Sequence, residues 1–280
     1  MEEDMDQHKL IEGHVTSEDG TSIAYDRQGS GPAVILVGGG LTDRSENAPL
    51  ATELATHFTV YNYDRRGRGK STDTAPYTLE REFEDIEALI IEAGGTADLY
   101  GVSSGGALVL EAAAAGTKGI GKIAVYEVPY SMAKNWPERW GKYAKELEAT
   151  LAEGRRGDAL ALFMKLAGSS DEEIAGAKQS PFWSGGEAIA HTLAYEAAVL
   201  GNGQPSAERF AKIAQPTLVA TGTDAQQPGA AEWVLALDPA ADAIVASIPH
   251  AKRQVFEGQS HVADPKAVAS VLERFFNESN

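Results

Sequence analysis

Hydrophobic positions along the chain alternate between two kinds of pattern. Ala33-Val34-Ile35-Leu36-Val37 is apolar without interruption, as a strand covered on both faces of a parallel sheet is. Before it, His14–Thr16 and Ser22–Asp26 flank Asp19-Gly20, a pair that favours a tight hairpin. Thr59–Tyr63, Ala97–Val102, Lys122–Tyr126, Pro216–Thr221 and Arg253–Phe256 are further β-rich runs. Helical patterns lie among them. Leu79, Phe83, Ile86, Ile90 and Ala93 recur at spacings of 4, 3, 4 and 3, one face of an amphipathic helix. Ala107–Ala115 is a nearly wholly apolar helix, and Ala230–Leu237 and Val268–Phe276 follow the late strands. Asp264-Pro265 starts the last of these with a capping carboxylate and a proline at the first helical position. A hairpin followed by strand–helix units predicts an α/β fold: a mostly parallel, eight-stranded sheet with helices on both faces.

One segment breaks the alternation. Residues 131–210 read only as helix, punctuated by Gly and Pro and rich in aromatics, among them Trp136, Trp140, Trp183 and Tyr195. An insertion at a strand's C-terminal end is expected to lie as a lid over the sheet edge where open α/β sheets bind ligands. The plainer reading, preferred for most of these aromatics, is a small core of the insertion's own. The expected organisation is a flexible tail over 1–12, a core formed by 13–130 and 211–280, and a helical cap over 131–210.

Candidate chemistry enters at Gly101-Val102-Ser103-Ser104-Gly105, a G-x-S-x-G string between a strand and a helix. The turn is too sharp for bulk two residues on either side of the nucleophile. That selects Ser103, because framing on Ser104 would put Val102 where glycine is needed. His261 follows the last strand and is the histidine expected to serve as base. Ordinary surface or core roles suit His8, His14, His57, His191 and His250. Gly38-Gly39-Gly40 ends the first buried strand, so the Gly40 amide, with that of Ser104, can hold an oxyanion. No Lys-Ser/Thr follows these glycines, which argues against a nucleotide P-loop.

Composition narrows the partners. Lys and Arg number 24 against 41 Asp and Glu, a net charge of −17, which is ill suited to nucleic acid. With no cysteine, thiolate catalysis and cysteine-bearing metal sites are excluded. The longest apolar stretches fall well short of the roughly 20 residues that cross a bilayer. The acidic N-terminus lacks the basic start and apolar run of a signal peptide, so a cytoplasmic protein is expected. Homodimerisation stays open.

Over residues 13–277 these pieces resemble the α/β-hydrolase family. The likeness rests on Asp19-Gly20 with Ile23-Ala24-Tyr25, the strand and glycines of Val34–Gly40, the turn Asp64-Arg65-Arg66-Gly67-Arg68-Gly69-Lys70-Ser71, the elbow at Ser103 and Gly258 with His261. Gly38-Gly39 stands where relatives usually carry His-Gly, which removes a side chain that organises the oxyanion loop. The resemblance also calls for a carboxylate beside the histidine. The usual position after the penultimate strand holds Ala225, with Asp224 one residue early, whereas Glu127 ends the strand after the elbow helix at the other location used in the family. Glu127 is the favoured acid and Asp224 the alternative. Serine at the elbow argues against haloalkane dehalogenase and epoxide hydrolase chemistry.

The reading is a serine hydrolase acting through an acyl-enzyme on a small, mainly apolar ester or lactone, with no cofactor or metal. Gly39, Leu41, Trp136 and Trp183 are expected in its pocket. The alternatives are perhydrolase or carbon–carbon bond hydrolase chemistry on the same fold, or a non-hydrolysing small-molecule receptor.

Overall fold

A computed structural model of the chain describes residues 9–223 and 231–278. Eight strands form one sheet: β1 (Ile11–Thr16), β2 (Ser22–Gln28), β3 (Ala33–Val37), β4 (Thr59–Tyr63), β5 (Ala97–Val102), β6 (Ile120–Tyr126), β7 (Thr217–Gly222) and β8 (Ala251–Phe256). Their order is β1-β2-β4-β3-β5-β6-β7-β8, with β2 antiparallel to β1 and β4 and every other pairing parallel. This is the predicted sheet. Strand β1 begins at Ile11, inside the stretch expected to be a tail, because Ile11 and Glu12 pair with Arg27 and Asp26. Residues 1–8 of that expected tail lie outside the described residues.

The period-2 rule of a strand explains the two layers that cover the sheet. Ile35 and Val37 point to the face covered by α2 (Leu79–Glu92) and α3 (Ser104–Ala115), and Val34 and Leu36 to that covered by α1 (Ala48–Leu54) and α12 (Pro265–Asn277). Both faces are dry, which is why β3 reads as an unbroken apolar run. The predicted face of α2 is inward, with Ile86, Leu89 and Ile90 fully buried. Glu82 and Asp85 of the same helix are also buried, which periodicity did not foresee. Each accepts a paired hydrogen bond from an arginine of the turn after β4: Arg65 to Glu82 at 2.7 and 2.8 Å, Arg66 to Asp85 at 2.8 and 2.7 Å. Planar guanidinium groups match carboxylates two bonds at a time, and such pairing is what makes a buried charge tolerable. The last helix is capped as predicted, the Asp264 carboxylate accepting from the Lys266 amide at 2.9 Å.

Between β6 and β7 the described chain is helical: α4 (Trp136–Ala152), α5 (Arg156–Leu166), α6 (Asp171–Lys178), α7 (Trp183–Ile189), α8 (Leu193–Leu200) and α9 (Ala207–Phe210). Helices α10 (Glu232–Leu235) and α11 (Leu237–Ser247) lead to β8. The sequence pattern stopped at Leu237 and missed α11, whose buried positions are Leu237, Ala240, Ala241 and Ile244.

Candidate active site

The strand order reverses at β3, which pairs with β4 on one side and β5 on the other. The loops leaving β3 and β5 therefore diverge from neighbouring strand ends and open a crevice between them, the usual ligand position in such sheets. Gly38–Gly40 lies on one wall and Ser103 on the other.

Ser103 sits between β5 and α3 at φ +55° and ψ −130°, a conformation that side chains rarely adopt. The strain is fixed by neighbours. Its amide donates to the Tyr126 carbonyl at 2.9 Å, and its own carbonyl accepts from Gly106 and Ala107. A Cβ at Gly101 would come within 2.6 Å of the Gly105 carbonyl, and one at Gly105 within 2.4 Å of the Gly38 and Val37 carbonyls. Both flanking glycines are thus sterically required. The Ser104 and Gly40 amides, as first residue of a helix and last of a glycine loop, donate to no described residue.

Glu127 follows β6 directly, at φ +49°, and is 2% exposed. Its two carboxylate oxygens are divided: Oε1 accepts from the Gly222 amide at the end of β7 at 2.9 Å, and Oε2 lies 2.6 Å from His261 Nδ1. A carboxylate only accepts, so Nδ1 carries the proton and Nε2 is left with its lone pair. The histidine loop is anchored. Tyr126 donates to the Ser260 carbonyl at 2.5 Å, Thr223 accepts from the Gly258 amide at 2.7 Å, and a Cβ at Gly222 would meet the Gln259 carbonyl at 2.1 Å. Trp233 stands edge-on to the imidazole at 5.1 Å. The alternative acid, Asp224, lies outside the described residues.

Ser103, Ser104, Gly39, Gly40 and His261 all face one cavity of about 370 Å³. Trp136, Trp140, Tyr143 and Phe163 of the helical insertion wall it, with Leu166, Leu193 and Leu200 between them. Trp136, Trp140 and Tyr143 are therefore more than an internal core for the insertion: they pack on one another at 6.2 and 5.4 Å and still face the cavity. Two of the expected pocket residues are elsewhere. Trp183 begins α7 beside Gly157 with Lys178 over its ring, and Leu41, at φ +55°, packs against the core. A shallow groove of about 500 Å³ runs over α4, α5 and α6, shares no lining residue with that cavity, and has charged walls that pair internally through Arg155 with Asp158 and Lys165 with Asp171.

Two carboxylates of the cavity were missed by sequence reasoning. Glu46, from the loop after β3, accepts from the Gly39 amide at 2.8 Å, and desolvation of its carboxylate raises its pKa. Nothing local marks it. Glu196 was more legible, as the single charge in the otherwise apolar helix α8. Burial alone would raise its pKa, but the Arg65 and Arg68 guanidinium groups outweigh that and hold it at about 2. A folded pKa below the unfolded value gives stability that is present above about pH 4.5 and lost as the pH falls toward 2. Glu196→Gln should accordingly be less stable than the wild type at pH 7 and lose less of its remaining stability between pH 5 and 2, as read from urea unfolding midpoints.

The model of the alpha/beta hydrolase family matches residues 33–271. The chain belongs to that family. This α/β hydrolase is similar in structure to an alpha/beta hydrolase from Sphaerobacter thermophilus, with 45% identity, a TM-score of 0.81 and coverage of 95% of this chain and 100% of that one. The enol-lactonase from Burkholderia xenovorans shares the fold at a TM-score of 0.67 and 22% identity, over 95% and 100% of the two chains. In sequence, the uncharacterized hydrolase YraK of Bacillus subtilis is 34% identical over 33% of this chain and 35% of that protein. The zearalenone hydrolase of Cladophialophora bantiana is 26% identical over 43% and 48%. The chain thus spans only about a third to a half of the length of those two relatives. Among the described residues no helix is long and apolar enough to cross a membrane.

Proposed function

We propose that this α/β hydrolase cleaves small, neutral, mainly apolar esters or lactones by way of a serine acyl-enzyme. The observation that carries the reading is the bond of 2.6 Å from buried Glu127 to His261, which lines the same cavity as the strained Ser103. Ser103 Oγ attacks the carbonyl carbon while its proton passes to His261 Nε2, and the carbonyl electron pair moves onto the oxygen. The Gly40 and Ser104 amides hold that oxyanion. As the intermediate collapses, the bond to the leaving alkoxide breaks and His261 returns the proton to it. Water then repeats the sequence on the acyl-enzyme, and the acid leaves with Ser103 restored. Glu127 stabilises the imidazolium in both halves.

The substrate class follows from the walls. Indole, phenol and leucine surfaces suit apolar groups, and a volume near the small end for ligand pockets suits a compact molecule. Glu46 at the cavity disfavours an anionic substrate. The neighbours of this fold include an enol-lactonase and an esterase from Exiguobacterium antarcticum, which makes both ester classes natural first trials. In this reading the insertion is a cap over the acyl or alcohol group. A fluorophosphonate probe tests the nucleophile without a known substrate. A single adduct mapped by mass spectrometry to Ser103 is expected, and labelling of a different residue, or none, would overturn the proposal.

A further inference from the structure

A run of three glycines is the most mobile backbone a chain can offer, whereas an oxyanion hole works only if its donors are fixed before the charge develops. The loop Gly38–Gly40 carries no side chain that could anchor it, and at Gly39 a Cβ would stand a tight 3.2 Å from Ser103 Cβ. Its fixation has to come from outside.

The polar groups of the loop show where. Arg68 Nη1 donates to the Gly39 carbonyl at 2.6 Å, Arg65 Nη1 approaches the Gly38 carbonyl at 3.4 Å, and the Gly39 amide donates to Glu46 Oε2 at 2.8 Å. The Gly40 amide donates to no described residue. Both arginines are 2% exposed and belong to the turn after β4, where Arg65 is locked by Glu82. The second terminal nitrogen of Arg68 donates to Glu196, which also takes Arg65 Nη1 at 3.1 Å. One guanidinium therefore bridges the glycine loop and the helical insertion, using the two parallel donors that lysine lacks.

We propose that Arg68 and Glu46 are positioning residues that clamp Gly39 from opposite sides and so aim the Gly40 amide at the reacting carbonyl, with Glu196 of the insertion holding Arg68 in place. The inference rests on the oxyanion role given to Gly40 above. It also assigns the insertion a part in assembling the catalytic geometry, beyond covering the substrate.

The test uses the full chain, with Arg68→Met, Arg68→Lys and Glu46→Ala, a short aryl ester and a small alkyl boronic acid as tetrahedral analogue. Arg68→Met is expected to lower kcat by about 10²-fold, the usual effect of losing one oxyanion donor, with KM within about twofold. Boronate affinity should fall by the same factor as kcat, since both report the tetrahedral state. Arg68→Lys should recover part of both. Glu46→Ala touches none of the buried ion pairs, is expected to fold, and should lower kcat and boronate affinity together by about tenfold. If Arg68→Met does not fold, Glu46→Ala decides alone. Folded variants whose kcat and boronate affinity match the wild type would overturn the clamp while wild-type labelling at Ser103 leaves the serine mechanism standing. A wild type that no fluorophosphonate labels would instead remove the mechanism on which the clamp depends.

Discussion

Ser103→Ala is expected to lower hydrolysis of a short aryl ester by about 10⁶-fold, as loss of the nucleophile does in other serine hydrolases. The fold should survive. Alanine has the same Cβ as serine at φ +55°, so the strain of the elbow is unchanged, and the backbone bonds that hold it, from the Ser103 amide to the Tyr126 carbonyl and from Gly106 to the Ser103 carbonyl, are kept. Only one oxygen facing the cavity is lost. Ser104→Ala is the matched control, since the part assigned to Ser104 is its backbone amide, and most of the turnover should remain. Initial rates of the two variants beside their thermal midpoints decide the matter. Full activity in Ser103→Ala with loss in Ser104→Ala would place the nucleophile one residue later.

Glu127→Gln should lower turnover by about 10⁴-fold with little change in KM, through the tautomer of the histidine. Glutamine preserves the length and volume of the buried side chain. Its carbonyl oxygen stays on the Gly222 amide, where the Oε1 bond is 2.9 Å, because an NH₂ group there would face another donor. The NH₂ is then presented to His261 Nδ1 at the site now 2.6 Å away, so Nδ1 must accept and the proton moves to Nε2. An imidazole in that state cannot take the serine proton. Asp224→Asn is the comparison and should leave turnover little changed. A steady-state series on one ester separates the two carboxylates: a crippled Asp224→Asn with an active Glu127→Gln would return the acid to the loop after β7.

The strands were legible because their signal is local. A strand buried on both faces has to be apolar at consecutive positions, so Ala33–Val37 could be read without knowing its neighbours. Helix α11 was not, because between its buried Leu237 and Ile244 the inward positions are Ala240 and Ala241, and alanine serves buried and exposed helices alike. Glu82 and Asp85 defeat the polar-outside rule for a different reason: their partners lie in the turn after β4, and only the packed structure brings those charges together.

The same division runs through the site. The frame of the elbow was legible within five residues, since glycine stands two before and two after Ser103, whereas Val102 stands two before Ser104. Which carboxylate faces His261 was not set by any local rule. It depends on β6 lying beside β7 and β7 beside β8, so that the residue after β6 and the loop after β8 meet across the Gly222 amide. Trp183 and Leu41 look as suitable for a pocket as Trp136 does, yet the orientation of α7 and the turn at Leu41 keep them off the cavity, while Trp233 stands against His261. Glu46, Arg68 and Glu196 converge on the glycine loop from three separate segments. Sequence by itself determined the sheet and pointed to Ser103 and His261, because hydrophobic periodicity and the G-x-S-x-G spacing are read between near neighbours. Tertiary structure alone decided how carboxylates, guanidinium groups and aromatic rings surround them, because those contacts depend on the order of the strands and the path of the insertion.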